Sequence, residues 1–83
     1  MLDHGFSVSH FRLTTIRSTV GRFDRRRYGV RVVGAPAVGR PMVMFGGDGN
    51  HRIVTSRVVR VFEDREASGT YVQTENTLYL LEH

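Results

Sequence analysis

The sequence predicts an all-β domain, mainly antiparallel, in which five or six short strands curl into a small, partly open barrel. Valine and threonine are plentiful, whereas alanine occurs only three times, and this composition favours pleated, half-buried strands over helices. Glycine and proline interrupt the chain too often for helical crossovers between parallel strands, which need about a dozen residues or more. Curling into a barrel hides the strand edges that a flat sheet of this size leaves exposed.

The first extended segment covers residues 11–18. It begins with the alternation Phe11-Arg12-Leu13 and continues with β-branched residues, which indicates a strand. A helix from Ser7 is the alternative, because Val8, Phe11 and Val20 fall near helical spacing and serine is a favourable N-cap.

The second segment, residues 28–33, alternates cleanly. Tyr28, Val30 and Val32 share one face, while Arg31 lies on the other, as expected of an antiparallel strand with one wet side. The segment ends before Pro36, which has no amide hydrogen to give to a strand ladder.

The third and fourth segments are residues 41–45 and 52–62. The third is a short apolar run whose Pro41 suits the first position of a strand, and a glycine-rich loop follows at residues 46–50. The fourth has apolar side chains at both parities, which predicts a bulge, a bend or cover on both faces.

The last two segments, residues 71–74 and 77–80, are predicted to form a hairpin. Glu75-Asn76 joins them, and asparagine tolerates the left-handed conformation of a tight turn. One long strand over residues 72–80 is the alternative, and we favour the hairpin.

A short pattern within this arrangement resembles a known barrel type. Residues 37–44, AVGRPMVM, followed by residues 52–56, RIVTS, resemble the strand entry of SH3-like and translation-factor barrel domains. The pattern covers about a quarter of the chain and is common to many proteins, so what it implies is an SH3-like or translation-factor-like barrel and no particular family.

Length and composition predict one domain over residues 1–80. The chain has 83 residues and no cysteine, which excludes a disulfide framework and a thiolate zinc site. Leu81-Glu82-His83 matches the beginning of a common expression tag, so residues 81–83 are interpreted as a tag remnant. The first ten residues lack the pattern of a signal peptide, and no apolar run reaches membrane-spanning length. We therefore expect a cytoplasmic protein without a membrane partner.

Positive charge is concentrated in one segment. All twelve basic residues other than histidine are arginine, and the formal net charge is +4. Between Gly21 and Arg31 one acid, Asp24, faces five arginines, and the other seven arginines are balanced by seven acids. The net charge of this segment is therefore +4, which equals the formal net charge of the whole chain.

This segment predicts a polyanion-binding function without catalysis. Guanidinium groups pair with phosphates, and exposed aromatic rings stack on unpaired bases, so we expect contacts with RNA or single-stranded DNA. The predicted phosphate-binding residues are Arg22, Arg25, Arg26, Arg27 and Arg31, and the predicted stacking residues are Phe23 and Tyr28. The plainer alternative has both rings in the core and the arginines as a solvated strand connection.

A protein-interaction or assembly module is the competing hypothesis. The same arginines would face an acidic protein, or a strand at residues 41–45 or 71–74 would pair edge to edge with another chain, including a second copy. Homo-oligomers belong to this hypothesis.

No motif predicts an enzyme, a cofactor or a metal site. The loop at residues 46–51 lacks the lysine of a P-loop and the ligand spacing of an EF-hand. His4, His10 and His51 do not have metal-ligand spacing, and Glu63, Asp64 and Glu66 read as a solvated turn. The hydroxyl residues between Thr55 and Thr77 are interpreted as structural groups that hold the register.

Overall fold

A computed structural model describes residues 8–19, 27–46, 51–66 and 68–83 of the chain. These residues form six antiparallel strands: β1 (Val8–Ser18), β2 (Tyr28–Val33), β3 (Pro41–Gly46), β4 (His51–Asp64), β5 (Gly69–Thr74) and β6 (Thr77–Glu82). The predicted all-β fold is confirmed, and residues 8–18 are strand rather than helix. No helix in the described ranges is long and apolar enough to cross a membrane.

The six strands close into a ring. Each strand pairs with its neighbours in the chain, and β1 pairs with β6, which is the order of an up-and-down barrel. The ring is therefore fully closed where the sequence predicted a partly open one. Closure matters for assembly, because β3 and β5 are each paired on both sides and offer no free edge to another chain.

Two long strands divide the ring into two sheets. The first half of β1 pairs with β2 and its second half with β6, while the first half of β4 pairs with β3 and its second half with β5. We call β2, β3 and the first halves of β1 and β4 the first sheet, and β5, β6 and the second halves the second sheet.

The predicted irregularity of the fourth segment is confirmed in β4. Its register shifts against β3 between Pro41 and Val43 and against β5 between Val58 and Arg60. At the first shift the amide of Met42 donates to the Thr55 hydroxyl at 2.9 Å. The side chain thus supplies the acceptor at the break, as a buried amide requires.

The barrel interior holds one small apolar core, to which both sheets contribute. Its fully buried members include Leu13, Val32, Met44 and Val72, and Phe11, Ile53, Val61 and Tyr79 pack partly against it. Alternate residues along the strands face inward, so the residues between these positions face solvent.

A hydroxyl network ties the two sheets together at the β5–β6 turn. Ser56 donates to the Thr74 hydroxyl at 2.9 Å, and Thr74 Oγ1 also accepts from the amide of Thr77 at 3.1 Å. The hydroxyls of Ser18 and Thr77 lie 3.0 Å apart. These contacts join β1, β4, β5 and β6, which agrees with the structural role predicted for the hydroxyl residues.

The last residues of the chain belong to this fold. Leu81 is 1% exposed and sits in the core, where it pairs with Leu13 and Thr70. The interpretation of residues 81–83 as a tag remnant stays a prediction, and removal of these residues tests it.

Candidate polyanion-binding face

The structure describes three of the seven predicted site residues. Arg27, Tyr28 and Arg31 lie in the described ranges, whereas Arg22, Phe23, Arg25 and Arg26 lie outside them.

Tyr28 lies at the mouth of the barrel. It shares the inward parity of Val30 and Val32, and its ring comes within 3.7 Å of the position that a Cβ on Gly46 would take. Burial raises the pKa of Tyr79, a hydrogen bond donated to its oxygen by the Thr77 side chain lowers it, and the nearby Tyr28 raises it. Tyr28 is still 40% exposed, so it faces solvent at the mouth, away from the side on which Arg31 projects.

Arg31 stands in a row of outward-facing side chains that crosses the first sheet. In register it pairs with His10 on β1 and Phe45 on β3, and Phe45 pairs with Arg52 on β4. We call His10, Arg31, Phe45 and Arg52 the basic ladder. Cross-strand neighbours stand about 5 Å apart, so these four side chains form a continuous strip.

Phe45 occupies the centre of the basic ladder, between two arginines. The guanidinium carbon of Arg31 lies 5.9 Å from the ring centroid of Phe45, which is within cation–π range. Met44 and Gly46 on either side are buried, so the Phe45 ring lies on the outside, half-exposed. An aromatic ring flanked by fixed positive charges matches the chemistry of an unpaired base and its phosphates.

A shallow depression lies beside the basic ladder, one row further along. Its lining consists of Arg12, Arg27, Tyr28 and Gly29. Arg12 pairs in register with Gly29 on one side and with Glu82 on the other, and Arg27 reaches Glu82 at 3.8 Å.

Acidic residues are absent from the part of the described chain that builds the first sheet. Residues 8–13, 27–46 and 51–57 contain six arginines and no acid, while the five described acids all lie between residues 63 and 82. Exposed charges of one sign on one side of a small domain produce an attractive field for polyanions. The first sheet is therefore basic independently of the predicted arginine segment.

A row of valines runs parallel to the basic ladder. Val8, Val33, Val43 and Val54 are paired in register across the four strands of the first sheet. We call them the valine ladder. At the two ends of the valine ladder Val8 is 44% and Val54 51% exposed, and Val33 and Val43 between them are half-buried, so the row is an apolar strip on the outer face.

The second sheet carries a different outer surface. Phe62 and Tyr71 stack with ring centroids 5.0 Å apart, and the guanidinium of Arg60 lies 4.5 Å from the Phe62 ring. The next outward row pairs Asp64 with Gly69 and Gly69 with Glu82. These carboxylates make the second sheet the poorer surface for a polyanion.

The basic ladder contains residues that sequence reasoning missed. His10, Phe45 and Arg52 belong to three separate strands in the sequence, and the alternation around them gave no sign that they adjoin. One signal was present: from residue 4 to residue 62 the chain has eleven arginines and two acids, Asp24 and Asp48. Counting charges in long stretches of the chain, and not only in short segments, would have shown that the strands before residue 63 are basic.

The described residues do not assemble a metal or catalytic cluster. No group of three or more histidine or acidic side chains comes together in the described ranges. His10 lies in the basic ladder, and His51 pairs with Gly46 at the start of β4.

No protein-family model, no curated protein and no solved structure matches the chain.

Proposed function

We propose that this protein is a small non-enzymatic binding module that holds single-stranded nucleic acid, RNA or DNA, on the outer face of its first sheet. One observation carries the proposal: the half-buried ring of Phe45 lies on the outer face between Arg31 and Arg52, in a row of the sheet whose described side chains include no acid. Single strands bind with little sequence preference when their bases stack on an aromatic ring and their phosphates pair with guanidinium groups.

The preference for single strands follows from the ring. A duplex hides the faces of its bases, so Phe45 contributes only where bases are unpaired. The arginines contribute to the binding of single strands and of duplexes, because they neutralise phosphates and release counterions in either case. The arginines predicted from the sequence at positions 22, 25 and 26 lie within five residues before Arg27 in the chain and add to the positive charge of the protein.

The test is a salt-dependent titration of a short labelled RNA, a single-stranded DNA and a duplex. Each phosphate that an arginine neutralises adds about 0.7 to the slope of log affinity against log salt for single strands. The variant R31Q/R52Q should therefore lower the slope by about 1.4. The control variant R17Q/R40Q loses the same charge at two exposed arginines outside the basic ladder and should change the slope little.

A second variant separates stacking from charge. Phe45→Leu keeps an apolar side chain, and it should weaken single-strand binding roughly fivefold to a hundredfold at an unchanged salt slope. Changing Arg25, Arg26 and Arg27 together to Glu measures the contribution of the predicted arginine segment. No binding by the parent protein at low salt, or an equal loss in the control variant, would refute the proposal.

Self-association is a second candidate, favoured by the valine ladder and by the opposite charges of the two sheets. We propose that a second copy would stack its second sheet, with Leu80, Tyr71 and Glu82 outward, on the valine and basic ladders. Edge pairing at residues 41–45 or 71–74 is not available to it in the closed ring.

Sedimentation of nucleic-acid-free protein over a range of concentrations tests this candidate. A mass that grows with concentration and falls for V8T/V54T supports it. A monomer at every concentration and at low salt counts against it.

A further inference from the structure

We infer that the depression at Gly29 is a subsite for the terminal phosphate monoester of a bound strand, held between Arg12 and Arg27. The inference rests on the proposed function, since it names the part of the ligand that this part of the face binds. The depression adjoins the basic ladder, because Gly29 and Arg31 are successive outward positions of β2, and Arg12 and His10 are successive outward positions of β1.

The space over Gly29 is open, and the fold does not require a glycine there. A Cβ added at Gly29 meets no atom within 4 Å, and its backbone is not in the left-handed region. Glycine in a strand costs conformational entropy and contributes no packing. The missing side chain leaves a floor onto which a small anion can settle between the two arginines.

The guanidiniums at the depression are available to a ligand. Within the described part of the chain, Arg12 makes no ion pair, and Arg27 has one distant contact, 3.8 Å to Glu82, with its side chain 55% exposed. Such an exposed pair contributes little to stability. Glu82 therefore acts as a weak internal competitor that an incoming phosphate displaces.

The charge of the ligand distinguishes a terminal phosphate from an internal one. A phosphate monoester carries nearly two negative charges at neutral pH and offers three oxygens, whereas a diester carries one charge and offers two. Two arginines at one concave position match the monoester, because two guanidinium forks that share one oxygen between them can engage all three terminal oxygens. The single arginines of the basic ladder suit the diesters of the strand.

The experiment compares three strands of one sequence, with a 5′-phosphate, a 3′-phosphate or no terminal phosphate, in competition titrations. The parent protein should bind one of the phosphorylated strands about tenfold more tightly than the hydroxyl strand, as expected for one added charge-assisted contact. Gly29→Val should abolish this preference and leave the affinity for the hydroxyl strand within about twofold, since the ladder is untouched. Glu82→Gln should enlarge the preference.

A second measurement keeps the inference separate from the proposed function. Inorganic phosphate titrated into isotope-labelled protein should shift the Arg12 and Arg27 side-chain resonances and the Gly29 amide, and Gly29→Val should remove these shifts. If no strand binds but these shifts occur, the phosphate subsite stands and the proposed function falls. Equal affinity for all three strands without these shifts, or a preference that survives in folded Gly29→Val protein, would overturn the inference.

Discussion

Shortening the chain by its last three residues tests the barrel at its closure. Leu81 is fully buried in the core, although the sequence assigned it to a tag. A chain that ends at Leu80 loses this side chain, the pairing of β6 with Leu13 and Arg12 on β1, and the pairing with Thr70 on β5.

The expected loss is large relative to the stability of so small a domain. Truncating a buried leucine to alanine costs about 2–5 kcal/mol, because both transfer energy and a cavity are involved. A domain of 83 residues has a free energy of unfolding of about 4–12 kcal/mol at typical values per residue. We expect the shortened chain to lose at least about 3 kcal/mol.

Urea unfolding followed by far-UV circular dichroism measures this loss. With a denaturant slope of about 1.5 kcal/mol/M, a loss of about 3 kcal/mol lowers the midpoint by about 2 M. Leu81→Ala in the full chain should give a similar shift. The control is a chain that ends at Glu82, which keeps the core and β6, loses only the contact of the His83 ring with Phe11 at 4.9 Å between centroids, and should lie within about 1.5 kcal/mol of the full chain.

If the chain that ends at Leu80 unfolds at the same urea concentration as the full chain, Leu81 does not contribute to the core. The ring would then close without residues 81–83, as the interpretation of these residues as a tag remnant expects.

Three further predictions concern the packing and titration of the barrel. Thr74→Val leaves the Ser56 hydroxyl and the Thr77 amide without their acceptor and should cost about 1–3 kcal/mol in urea unfolding, whereas Thr74→Ser should cost less. Gly69→Ala places a Cβ 2.9 Å from Leu80 and 3.0 Å from the Leu81 carbonyl and should destabilise by about 1–3 kcal/mol, whereas Gly29→Ala should be neutral or stabilise slightly. Burial raises the pKa of Tyr79, so stability should be full below about pH 10 and decline as pH rises through the higher folded value. Thermal melts of Tyr79→Phe should show a smaller alkaline decline, and an unchanged decline would count against the burial of this phenol.

The strands could be predicted because their signals are local. Residues 28–33 were predicted with the observed bounds, since Val30 and Val32 alternate with Arg31 and a glycine-proline stretch ends the run. The β5–β6 hairpin followed from Glu75-Asn76 in the same way. The bulges of β4 followed from apolar residues at both parities.

The ends of the strands were harder to place. β4 extends to Asp64 and β5 begins at Gly69, whereas the sequence predicted a solvated turn that included Glu63 and Asp64. Glu63 and Asp64 are polar enough to suggest a turn, yet they pair with Thr70 and Gly69 because the ladder there continues beyond the apolar run. The residues opposite on the neighbouring strand decide where a strand ends, and the local composition does not identify those residues.

The candidate face depended on tertiary structure for another reason. The sequence located an excess of charge at the segment that contains Arg27 and Arg31, and this excess belongs to the chain whatever its fold. The sequence did not predict the strand register that brings the basic ladder into one row, because its four residues come from four strands that pair over long separations in the chain.

The sequence by itself thus determined the fold class, the strands and the excess of arginine, because alternation, turn residues and charge are properties of short stretches. The closed ring, the place of Leu81 in the core and the basic ladder on the outer face of the first sheet were decided by the tertiary structure. A shift of one residue in register would turn Phe45 inward and Met44 outward, and only packing of the whole barrel selects between the two.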